Sequence, residues 1–170
     1  MNDRRGSIWR KWDLHVHTPC SLHHAYSGST QEEQWEKFLT DIENLPEEFK
    51  VLGINDYIFL DGYKRILEEK RNGRLTNIEL ILPVIELRLD KFGGTDSALS
   101  RVNWHVILSN QIQPEVIESQ FINHLTTRYQ LTPKYVRTGI VWEGLLTKES
   151  LVDLGEKIIS SVPQRERVKF

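Results

Sequence analysis

Short apolar runs alternate along this chain with stretches of helical period, and that alternation constrains the fold more than any other feature. Residues 11–17 read as a strand. A loop of Thr18-Pro19-Cys20-Ser21 through Gly28-Ser29 follows, and Thr30 with Glu33 three residues on has the spacing of a capping box. The helix it opens spans 31–44, with Trp35, Phe38, Leu39 and Ile42 at helical spacing, and Pro46 ends it. Residues 51–55 form a short buried strand. Asp61 then precedes a helix with Tyr63, Ile66 and Leu67 on one side, closed by Asn72-Gly73. The longest apolar stretch is 78–89, where Pro83 predicts a break between a strand reaching Leu82 and a second strand carrying Glu86. Residues 91–100 read as a Gly-Gly loop and 102–109 as a strand. A helix over 114–129 carries Val116, Ile117, Phe121, Ile122 and Leu125, and a last helix covers 148–160. Repeated β then α units predict an α/β fold, a largely parallel sheet and functional residues at its strand ends.

The first strand carries the chemistry. In Trp12-Asp13-Leu14-His15-Val16-His17-Thr18 the two histidines are two residues apart, so an extended backbone points both to one face. Imidazoles placed in this way chelate one metal ion or bridge two, with Asp13 and Thr18 in position to hold them. A bare His-x-His is equally compatible with a surface strand, and only six histidines are present in all. The rest of the site comes from later strands. Glu86 lies between Ile85 and Leu87, where an unpaired carboxylate is costly to bury; a metal ion relieves that cost, and Arg88, at the same strand parity, is the rival partner. Asp56 fits either a helix-entry cap or a site carboxylate.

Four segments in this order resemble the PHP (polymerase and histidinol phosphatase) superfamily of metal-dependent phosphoesterases. Asp13-Leu14-His15-Val16-His17-Thr18 is similar to its first motif, and Leu52-Gly53-Ile54-Asn55-Asp56-Tyr57 to its second, an apolar strand ending in Thr-Asp-His. Pro83-Val84-Ile85-Glu86 resembles the strand that ends in a ligand glutamate, and Trp104-His105-Val106-Ile107-Leu108 its His-hydrophobic strand. The resemblance covers residues 9–110. It implies a distorted (β/α)7 barrel, incomplete in this chain, formed by a single domain over 1–170. It also implies divalent metal ions, Mn, Zn or Fe, held by His15, His17, His24, Glu86 and His105, with His23 the alternative to His24 in the loop. Asp56 is the implied catalytic residue. The implied activity is hydrolysis of a phosphomonoester or a nucleic-acid phosphodiester by a metal-activated water.

Two departures qualify that expectation. Tyr57 stands where the family has a ligand histidine, and the family's late histidine or cysteine and terminal Asp-x-His are absent, since no histidine follows His124. The chain is accordingly read as the N-terminal portion of a longer domain. Its opening segment and Asn55-Asp56-Tyr57 resemble the PHP domains that precede SMC-like or ABC-like ATPases, which implies an ATPase partner in a longer parent. The alternative is a non-catalytic PHP-like scaffold or regulatory module. Self-association is expected of an incomplete barrel, because it leaves a strand edge and apolar helix faces uncovered.

Composition narrows the setting. A hydrophobic fraction of 39% and a charged fraction of 27% are those of a globular chain with a real core. A formal charge of -2 supplies no global field for nucleic acid. No apolar run approaches the ~18 residues of a membrane span, and Cys20 is the only cysteine, so no internal disulfide forms. These features point to a cytoplasmic protein.

Overall fold

The computed structural model describes residues 9–95, 98–125 and 147–161. The chain divides into two compact units, 1–114 and 115–170. In the first, strand β1 (Lys11–Val16) leads to helix α1 (Gln31–Glu43), β2 (Phe49–Ile54), α2 (Asp61–Arg71), β3 (Leu80–Thr95) and β4 (Ala98–Ile107). The strands form a four-stranded sheet in the order β1-β2-β3-β4.

Local sequence explains the helices. The Thr30 hydroxyl accepts from the Glu33 N–H at 3.2 Å, and the Glu33 carboxylate accepts from the Ser29 N–H at 2.7 Å, so two otherwise unpaired donors of the first turn are satisfied. Trp35, Phe38, Leu39 and Ile42 are then buried along one face of α1. From α2, Tyr63 and Ile66 join the core, which Val51, Leu52, Ile54, Val84 and Ile85 extend into the sheet. The two helices meet side by side: the Arg65 guanidinium lies 4.5 Å over the Trp35 ring and pairs with Glu32.

The sheet departs from the expected barrel. β1, β2 and β3 are parallel, as β-α-β units require, but β4 runs antiparallel to β3. The described strands therefore make an open sheet with β1 and β4 at its edges, not a (β/α)7 barrel. The physical cause lies in 91–100, expected as a loop. Phe92, Gly93, Gly94 and Thr95 pair instead with Arg101, Ser100, Leu99 and Ala98, so the chain turns straight back as a hairpin with no crossover helix. The Arg101 guanidinium, 5.7 Å over the Phe92 ring, braces this extension.

Pro83 does not break β3. It occupies the last β2 register position, opposite Ile54, and β3 takes β4 as partner from Val84 onward. A residue without an N–H is tolerated where the ladder changes partner, and the Pro83 carbonyl still accepts from the Leu108 N–H at 3.0 Å.

The second unit holds helix α3 (Pro114–Gln120), a single 3-10 turn over Ile122–His124 and helix α4 (Lys148–Ser161), with Ile117, Ile122 and Leu154 buried. The helix expected over 114–129 thus ends at Gln120, and 126–129 lie outside the described residues. Among the described residues no helix is long and apolar enough to cross a membrane.

Candidate metal centre

Three strands bring the site together. A bulge in β1, where the step from Asp13 to Val16 opposes the shorter step from Leu52 to Ile54, interrupts the ladder at His15 itself. The Asp13 carboxylate accepts from the His15 N–H at 3.1 Å, so Asp13 shapes the bulge and does not hold an imidazole. The His15 and His17 Nε2 atoms lie 3.1 Å apart. Glu86 of β3 stands opposite His105 of β4 in the antiparallel register. Its Oε2 is 3.3 Å from His15 Nε2 and 3.6 Å from His105 Nε2.

His15, Glu86 and His105 each offer one ligand atom within 4.8 Å of the others. His17 joins through its contact with His15. The donor set fits a divalent transition ion: two neutral imidazoles and a carboxylate suit Zn, Mn or Fe. An internal observation supports the fit, since the buried His105 Nε2 has no hydrogen-bond partner. A buried polar atom without a hydrogen bond, beside a carboxylate and two further imidazoles, is the arrangement an ion would satisfy.

Glu86 is only 6% exposed, and its charge is met by amides. Asn55 Nδ2 donates to Oε2 at 2.9 Å and Asn103 Nδ2 donates to Oε1. These replace the expected rival, as Arg88 is exposed. Two charge-assisted bonds fix the plane of the carboxylate and turn Oε2 toward the histidines. Asn103 was not among the sequence candidates. The signal for it was present: it lies two residues before His105 on one strand and so shares its face.

The remaining candidates take distinct places. Asp56, 2% exposed, accepts from the Thr18 N–H at 2.8 Å and from the Thr18 hydroxyl at 2.6 Å. Thr18 thus anchors Asp56 and touches neither histidine in the way foreseen. This pair fastens the end of β1 to the turn after β2. Tyr57 adopts φ 60, places its ring 5.2 Å from that of His17 and accepts the Glu86 N–H at 2.8 Å. His24 is not in the three-residue cluster; its ring stacks on Tyr26. His23 and His24 both line a cleft that His15 and His17 share. Cys20 is half-buried, with its N–H donating to the Thr18 hydroxyl.

No family model, curated protein or solved structure matches this chain.

His17 is poised as a neutral ligand. Burial holds its pKa below 6.5, the neighbouring His15 adds to the effect, and Asp56 and Glu86 oppose it. Its Nδ1 lies 3.2 Å from the Ser21 hydroxyl, which orients the ring. Because the unfolded ring binds the proton more readily, the stability this group contributes is complete above pH 6.5 and is lost as pH falls through 6.5 toward the folded value. In metal-free protein the His17 ring signals in a two-dimensional NMR titration will show a midpoint below 6.5; a midpoint at or above it would contradict the burial.

Proposed function

We propose that this chain is a PHP-like metal-dependent phosphoesterase, acting in the cytoplasm. The observation that carries the reading is the convergence of His15, Glu86 and His105 within 4.8 Å, with His105 Nε2 buried and making no hydrogen bond. His15, Glu86 and His105 would hold the first ion, with His17 beside them. A divalent ion there supplies Lewis acidity toward water and phosphoryl oxygens. The protein's own share is orientation: Asn55 and Asn103 fix Glu86, and Ser21 faces Nδ1 of His17.

Purified chain reloaded with Mn²⁺ or Zn²⁺ and desalted should retain the ion by elemental mass spectrometry. A His15→Ala/His17→Ala double variant should lose it, with phosphate release from phosphoesters lost in parallel. Equal metal content in the two proteins would sink the metal centre. Metal retained by the parent chain without hydrolysis of any phosphoester would leave a metal-binding scaffold, the reading that Tyr57 beside His17 favours.

A further inference from the structure

A cleft of about 830 Å³ opens beside the metal centre and extends beyond it. His15 and His17 line it together with the loop after β1, α1 and the start of β2. We infer that this cleft seats the alcohol portion of the substrate, and that the substrate is a small phosphomonoester whose alcohol carries a flat apolar group, not a polynucleotide. The inference rests on the phosphoesterase reading above.

Size, wall and charge agree. The volume lies within the roughly 300–1,000 Å³ of small-molecule sites. One wall is aromatic and held in place: the Tyr26 ring meets Phe38 edge-on at 5.3 Å and carries the His24 ring at 6.1 Å, inclined by 24°. Leu45 and Phe49 add apolar surface. A flat group laid against such a wall gains contact area without ordering it first.

Charge excludes the polymer. Among the described residues that line the cleft, Lys37 is the one lysine or arginine, and its Nζ is held by the Ser27 hydroxyl at 3.1 Å; Asp13 and Asp41 oppose it. Single-stranded nucleic acid requires a basic track that follows successive phosphates. Here a second phosphate would face carboxylates. A single phosphoryl group at the histidines, with a neutral alcohol beyond it, suits both regions.

Isothermal titration of the full chain loaded with Mn²⁺ tests this with 1-naphthyl phosphate, glycerol phosphate and a single-stranded oligothymidylate. The naphthyl ester should bind at least about tenfold tighter than the glycerol ester, with the oligonucleotide weakest. Leu45→Asp, and separately Tyr26→Ala so that one failure to fold does not decide the matter, should erase that preference while leaving inorganic phosphate binding unchanged. Equal affinity for the two esters, or an oligonucleotide that competes as well as the naphthyl ester, would overturn the cleft assignment and leave the phosphoesterase reading standing. Absence of Mn²⁺-dependent inorganic phosphate binding would overturn that reading itself, and the substrate assignment with it.

Discussion

Gly62→Ala will destabilise the protein by about 3 kcal/mol, near the upper end for overpacking a buried site. Gly62 lies in the first turn of α2, directly over the Asp56–Thr18 pair. A methyl group there would fall 2.0 Å from Asp56 Oδ2 and 2.2 Å from Thr18 Oγ1. Neither neighbour has room to give, since both side chains are buried and bonded to each other. The helix must lift or the pair must break, and a broken pair costs a buried carboxylate the two bonds it accepts from Thr18. Gly73→Ala is the control, because it separates steric from conformational cost. Its added methyl meets nothing within 4 Å, but the backbone sits at φ 92, where a side chain costs about 1–2 kcal/mol. Urea melts of the two variants should rank them in that order. A Gly62→Ala melt that matches the parent would show that α2 does not rest on Asp56. The loss should also reach the metal centre, because the same pair anchors the strand end that follows His17.

This dependence marks what the sequence makes legible and what it leaves hidden. Thr30, Glu33 and the Trp35 stripe announce α1 because capping and helical period are local. The family resemblance nominates His15, His17, Glu86 and His105 together with His24; the structure brings the first four together, whereas His24 turns to Tyr26. Sheet topology was not legible in the same way. Gly93-Gly94 has the composition of a loop, yet it lies within a hairpin whose pairing depends on Arg101, Ser100 and Leu99 across the turn. Closure of a barrel is likewise a matter of which distant edges pair, and periodicity within one strand carries no record of it. The Thr18–Asp56 bond spans 38 residues, and Asn103 reaches Glu86 across 17. Such contacts become visible only once register is known.

Saturating Mn²⁺ or Zn²⁺ will raise the melting temperature of the parent chain by about 10 °C, and Glu86→Gln will abolish the rise. An ion at a thousand times its dissociation constant stabilises the folded state by about 4 kcal/mol, and each kcal/mol moves the midpoint of a chain this size by about 2–4 °C. Glu86 is the residue to change because its Oε2 reaches both His15 and His105. Glutamine keeps its length but removes the negative charge, and its own amide competes with the donors on Asn55 and Asn103. At least one of these amides is then left without an acceptor, so the variant should also melt below the metal-free parent. The two effects separate two roles of one carboxylate. A variant that melts lower yet still responds to the ion would place the metal on the histidines alone. A variant that melts like the parent and ignores the ion would show that Glu86 binds metal without contributing to the packed core. Loss of both is the expected outcome, since the hydrogen bonds that compensate its burial are those that aim its Oε2 at the histidines.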